Sequence, residues 1–202
     1  IHGQGAMDDL PLSKHGGKDN SSPLFLGHMF ANCVAAILTV ALAPLRALAP
    51  LERLVVTTFQ SASGAGARAM EDLVRQTRDH LEGREVVPRV LPHPYAFNLF
   101  SHDSAVEANG NNGEENKVIE ETRKIFGLPD LPMSVTCVRV PILRAHTEVV
   151  RVTFAAPVLP SDARRVLANA AGLEVVDDPG SNRFPMPVEA TGRDEGLVGR
   201  IR

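Results

Sequence analysis

An apolar-rich run from Leu24 to Leu45 contains no charged residue. Within it Val34, Ile37, Leu38 and Ala41 recur at i, i+3, i+4 and i+7, the spacing of one helix face, and Ala35, Ala36 and Ala43 allow close approach on the other side. A helix over 33–42, packed on both sides, is therefore predicted. A bilayer span needs about 20 apolar residues, and the run is that long. However, it holds His28 and Asn32 and meets Pro44 near its end, and a continuous span would strand Asn32 away from water. No transmembrane span is expected.

After a turn at Ala49 and Pro50, RLVVTTFQ (53–60) has the β-branched content of a strand. The glycine loop SASGAG follows. In ARAMEDLVRQTRDHLEG, Met70, Leu73, Val74 and Leu81 recur at helical spacing, with Gly83 as the stop. Residues 84–113 are broken by prolines and glycines and read as loop. Asn112 can cap the next helix, GEENKVIEETRKIFG, which Gly127 closes. MSVTCVRVPIL is a strand candidate. In TEVVRVTFA, Val150, Val152 and Phe154 fall on one face and Val149, Arg151 and Thr153 on the other, so one face is buried. SDARRVLANAAG reads as a short helix from a Ser161 cap to Gly172, and LEVVDD as a further strand. Interleaved strands and helices of this kind predict an α+β layer with helices on one sheet face. Residues 1–22 are polar, lack periodicity and read as an extended arm, either disordered or laid on a neighbour, leaving 23–202 as the folded domain.

Composition narrows the function. A hydrophobic fraction of 44% over 202 residues supplies a real core. A net charge of −3, spread along the chain, gives no electrostatic reason to expect nucleic acid as a partner, and one Tyr with no Trp leaves no stacking platform. Two cysteines far apart in sequence make no disulfide framework and point to a reducing compartment, an organelle such as a plastid or mitochondrion included. Cys33, Cys137 and the histidines lack the close spacing of a zinc site. Cys33 would open the first predicted helix, where free backbone N–H groups favour a thiolate and an oxyanion formed beside it. Asn32 could cap that helix or donate a hydrogen bond. The same residue pattern also suits a buried packing cysteine.

The strings NC, VVTTFQSASGAG, EENKVIEETRKIFGLPDLPMSVTCVRVPILRAHTEVV, VVDDP and GLVGRIR, in that order, resemble the aspartate-semialdehyde dehydrogenase family, over roughly residues 29–202. The part resembled is its catalytic and dimerisation portion. The resemblance implies a mixed, largely antiparallel sheet with helices on one face. It implies that Cys33 is the nucleophile that forms a thioacyl intermediate in the reductive dephosphorylation of aspartyl phosphate. Gln60 would orient the acyl group, His146 act as general acid/base, and Arg139 hold the substrate carboxylate. Glu114 and Lys117, three apart on one helix face, would serve the substrate amine and phosphate, with Asn32 beside them. These residues should converge on one cleft. Only 32 residues precede Cys33 and none form the glycine-rich strand-to-helix turn of a Rossmann unit. The expectation is therefore that this chain alone binds no cofactor, and that NADP enters with a Rossmann-domain partner. A homodimer or larger assembly is expected. An alternative is a repurposed accessory subunit of such an assembly, with no catalysis.

Overall fold

A computed structural model describes residues 32–202. The arm 1–22 and the first part of the uncharged run lie outside the described residues. Helix α1 spans Cys33–Leu42 and begins where Asn32 caps it: the Asn32 side chain accepts from the Val34 and Ala35 N–H groups. No helix of the described residues is long and apolar enough to cross a membrane.

The remaining elements are strand β1 (Leu51–Gln60), helix α2 (Ala67–Leu81), the short β2 (Phe100–Ser101), helix α3 (Gly113–Phe126), β3 (Met133–Arg139), β4 (Thr147–Phe154), helix α4 (Pro160–Ala168), β5 (Leu173–Val175), a single turn α5 (Pro187–Ala190) and β6 (Gly196–Val198). Four strands form one sheet in the order β2-β3-β1-β4. β1 runs parallel to β3, whereas β1 with β4 and β2 with β3 are antiparallel. β5 and β6 pair in parallel in a separate small sheet. The sheet is thus mixed and mostly antiparallel, as expected. Leu54, Val56, Val135 and Cys137 on one face join Val34, Leu38, Leu42, Val118, Ile119, Ala163 and Leu167 from α1, α3 and α4 in the main core. The opposite face leaves Val55 and Val149 exposed.

Local signals held well in α3. Asn112 and Glu115 form a reciprocal capping box, and Gly127 closes the helix in the left-handed conformation. β4 alternates as predicted. Three expectations need correction. First, α1 buries Val34, Ala35, Leu38, Thr39 and Leu42, while Ile37 is 40% exposed. The helix is not packed on both sides, because it presents its i+4 row to α3 and leaves Ile37 and Val40 outward. Second, Leu81 is exposed, since the last turn of α2 runs past the cluster of Leu73, Leu91 and Tyr95 beneath it. Third, α4 starts at Pro160, not after a Ser161 cap. Proline's preset φ suits the first helical position, and its missing N–H is no loss there.

The loop 84–99 is held by side chains rather than by secondary structure. Gln76 Oε1 accepts the Tyr95 and Ala96 N–H groups, and Asp72 accepts from Arg89 N and from the Arg75 guanidinium. Near the end of the chain, Asp177 accepts from Arg164 Nε and Arg200 N, so VVDDP and GLVGRIR meet on α4. Gly199 is required there, because a Cβ would overlap the Val176 carbonyl oxygen.

One buried polar group stands apart. Glu148 on β4 lies opposite Thr58, and its Oε1 has no hydrogen-bond partner among the described residues. Burial pushes its carboxyl up to about 8. A carboxyl whose folded pKa is raised favours the native state while protonated, so its contribution is complete below the unfolded value of about 4.3 and is lost as pH rises through about 8. Glu148→Gln is expected to remove this loss. Thermal melts at pH 5 and pH 8.5 should show the parent falling more than the variant, and equal falls would place the effect elsewhere.

Candidate active site

The sheet delivers the predicted residues to one end. Gln60 closes β1 and pairs in register with Arg139 at the end of the parallel β3. Both side chains are buried. From the helix layer, Glu114 stands in the first turn of α3, where the helix dipole favours a carboxylate. Its Oε1 accepts from Asn32 Nδ2 at 2.9 Å and from Gln60 Nε2 at 3.1 Å. Asn32 therefore has two duties: its oxygen caps α1, and its amide N–H binds Glu114. Cys33 follows as the first residue of α1 and is exposed.

His146 lies in the connection between β3 and β4, directly after Ala145, whose φ of 66° is uncommon for a residue with a Cβ. The turn after β1 meets this connection through Ala62 N to Ile142 O and Ser63 N to Leu143 O. Ser61 N donates to His146 Nδ1 at 3.0 Å, and Ser61 Oγ lies 2.9 Å from the same nitrogen. A backbone N–H can only donate, so Nδ1 accepts and the neutral ring carries its proton on Nε2. Gly64 makes the approach possible: a Cβ there would lie 2.8 Å from Cε1 and Nε2 of His146 and 3.5 Å from Arg139 Nη1.

The structure thus joins Asn32, Gln60 and Glu114 by direct hydrogen bonds and sets Arg139 and His146 around Gly64. Lys117 shares the α3 face of Glu114 but is exposed and has no hydrogen bond among the described residues. Sequence reasoning missed Ser61, which orients His146, and His102 and Asp103, which contact Arg139. Ser61 lay within a quoted motif. His102 and Asp103 sit in a stretch read only as loop, with no local signal to mark them.

Electrostatics modify one expectation. Although Cys33 is exposed at the surface, partial desolvation of its sulfur by the neighbouring protein, and then the Glu114 carboxylate, raise the thiol above its ordinary value, against the downward pull of the Val34 and Cys33 N–H groups. The helix start favours the thiolate, but desolvation and Glu114 outweigh it. Burial and Arg139 lower His146, so its ring stays neutral near pH 7. Cys137 is a core residue, as expected, and burial pushes its thiol up to about 12.

The model of the semialdehyde dehydrogenase dimerisation domain matches residues 42–202. The chain belongs to the semialdehyde dehydrogenase family. The aspartate-semialdehyde dehydrogenase of Synechocystis is 51% identical over 171 residues, covering 85% of this chain and 51% of the relative. That of Aquifex aeolicus is 44% identical over 173 residues, with the same two shares of 85% and 51%. The crystal structure of aspartate semialdehyde dehydrogenase II from Vibrio cholerae superimposes with a TM-score of 0.81 at 36% identity, covering 85% of this chain and 51% of that one. The chain spans about half the length of the curated relatives it matches. Gln60, Glu114, Lys117, Arg139 and His146 fall inside the segment matched to the family's dimerisation domain, and Asn32 and Cys33 lie just before it.

Proposed function

We propose that the chain is the catalytic and dimerisation part of an aspartate-semialdehyde dehydrogenase. The observation that carries this reading is Glu114 bridging the cap of the Cys33 helix to Gln60 at the end of β1, beside Arg139 and His146. A relative from Vibrio cholerae, 35% identical, was solved in complex with ASA. In the proposed reaction the Cys33 sulfur attacks the acyl carbon of aspartyl phosphate, a C–S bond forms, the acyl C–O bond breaks, and inorganic phosphate leaves. Arg139 offers a planar fork to the substrate carboxylate and Glu114 accepts from its amine, while Lys117 provides a positive charge for the phosphate. Gln60 orients the acyl group. Neutral His146 donates a hydrogen bond from its Nε2–H to the oxygen that develops charge and keeps that proton, since Nδ1 accepts the Ser61 N–H and loss of the proton would leave an imidazolate.

On this reading the chain alone binds no dinucleotide. What supports this is the glycine-bearing strand-to-helix turn 61–66, which has glycines only at 64 and 66 rather than the three of a dinucleotide fingerprint, and whose Gly64 packs against the His146 ring. These residues take the reaction as far as the thioester, and the hydride that completes it belongs to reduced NADP on a nucleotide-binding unit. Titration of the purified 202-residue chain with NADP is accordingly expected to show no saturable micromolar binding. A binding isotherm in that range would refute this part of the proposal.

The decisive experiment is incubation of the chain with aspartyl phosphate. One equivalent of phosphate should appear with a hydroxylamine-labile acyl group on Cys33. A non-catalytic accessory role in a larger assembly draws on the outward Ile37 and Val40 of α1 and predicts that no acyl group forms.

A further inference from the structure

Arg139 carries five N–H donors in a planar fork. Its side edge is already engaged: Nε donates to Asp103 Oδ1 at 3.2 Å, and Nη2 lies 2.9 Å from His102 Nε2. Nη1 has no hydrogen-bond partner among the described residues and faces the Gly64 turn. We infer that His102 and Asp103 are positioning residues that grip Arg139 by this edge and turn its Nη1–Nη2 end toward the carboxylate of the substrate. The inference rests on the proposed role of Arg139 and adds how that role is enforced.

The segment that grips Arg139 is anchored to both sides of the site. His102 N donates to Cys137 O at 2.9 Å, which continues the pairing with β3. Ser104 Oγ donates to Asn112 Oδ1 at 3.3 Å and accepts the Glu114 N–H at 3.0 Å, so it is fastened to the start of α3. Three consecutive residues thereby set Arg139, proposed for the carboxylate, relative to Glu114, proposed for the amine. A substrate bearing both groups on one carbon requires that spacing to be rigid.

The chemistry of the grip makes it sensitive to protonation. Arginine donates and never accepts, so His102 Nε2 must be the acceptor and the neutral ring must carry its proton on Nδ1. The Ser104 N–H also points at His102 Nδ1, at 3.2 Å, and competes with Arg139 for the single lone pair of the neutral ring; we assign that lone pair to the charge-assisted contact from Arg139, which leaves the Nδ1 proton for Ser104 Oγ at 3.1 Å. A second proton on the ring would set an N–H against Nη2 and break the contact. The groups that face His102 are Arg139 from β3, Asp103 from its own loop, Glu114 and Lys117 from α3, and His146 from the β3–β4 connection. Burial, then Arg139, hold the His102 pKa below the ordinary imidazole value, against the opposing carboxylates of Glu114 and Asp103. The grip is complete above that lowered value and is lost as pH falls through it. Burial opposes ionisation of Asp103, but its own N–H and the Arg139 guanidinium keep its carboxyl below the ordinary range.

The test uses the full chain with L-aspartate as the probe, because it carries an α-carboxylate and an α-amine. Calorimetric affinity is followed from pH 5 to pH 8, alongside ¹⁵N spectra of the histidine rings. The wild-type His102 should show the Nδ1–H tautomer, and affinity should drop about tenfold at the acid end. His102→Gln offers an oxygen acceptor at every pH, so it should bind as the wild type does at pH 8 and lose the acid decline. Asp103→Asn and Asp103→Ala remove the same charge, but only the first keeps an acceptor for Nε. D103N should bind at least as tightly as the wild type and D103A about tenfold more weakly. An Nε2–H tautomer, an unchanged acid decline in H102Q, or equal affinities for D103N and D103A would overturn the inference alone. Absence of L-aspartate binding to the wild-type chain would overturn the carboxylate-site reading and this inference with it.

Discussion

Cys33→Ser is expected to slow phosphate release from aspartyl phosphate by at least about 10³-fold, or about 4 kcal/mol of barrier, while leaving the fold intact. The sulfur sits at the first position of α1, exposed, with Asn32 holding the helix start against Glu114. Partial desolvation of the sulfur and the Glu114 carboxylate raise the thiol, so only a small fraction is thiolate at neutral pH, yet a serine hydroxyl at the same place ionises far less and is a weaker nucleophile. The raised pKa gives the wild-type reaction a clear pH dependence. Acyl transfer should increase as pH rises toward and past the ordinary thiol range, because the reactive form is the deprotonated one. Single-turnover phosphate release, with circular dichroism to verify folding, provides the comparison. A serine variant that releases phosphate at the parent rate would locate the nucleophile elsewhere.

Glu115→Ala should destabilise the domain by about 2–5 kcal/mol, a large part of the total stability of an ordinary domain. Glu115 is buried and bidentate between two elements. Its Oε2 accepts the Asn112 N–H at 2.9 Å as half of the capping box, and its Oε1 accepts the Cys137 N–H at 2.9 Å from β3. Truncation leaves both buried N–H groups without partners, each a penalty of about 1–3 kcal/mol. Glu115→Gln keeps one oxygen acceptor and should lose about half as much. The measurement is urea unfolding, read as a lower midpoint at unchanged slope. A change within about 0.5 kcal/mol would mean that other groups or solvent satisfy the two donors. Because Glu114 is the next residue, a domain that survives the substitution should also show a looser hold on Asn32 and Gln60.

Local and tertiary features of this chain divide along physical lines. Features set by contacts within a few residues were legible in advance. Examples are the limits of α1 behind an Asn cap, the helix cap at Asn112, the stop at Gly127, and the alternation along β4. Each depends on a side chain meeting the backbone within about one turn, or on the two-residue period of a strand. The motif resemblance singled out Cys33, Gln60, Glu114, Arg139 and His146, and their residue types suit the chemistry. Without it, Glu114 and Lys117 would have passed for an ordinary solvated helix pair.

What only the folded chain decided is which surfaces meet. Helical periodicity alone favoured Val34, Ile37, Leu38 and Ala41 as the buried face of α1, but packing on α3 chose Val34, Leu38 and Leu42 and turned Ile37 outward. Nothing local dictates that β1 lies parallel to β3 with Gln60 opposite Arg139, since that register closes a loop of more than seventy residues. The same closure brings Ser61 to His146, and His102 with Asp103 to Arg139, across separations of 85, 37 and 36 residues. Backbone propensity and amphipathic pattern act over a few residues. The groups that orient an imidazole or a guanidinium are chosen by tertiary burial, which demands a partner for every polar atom it encloses.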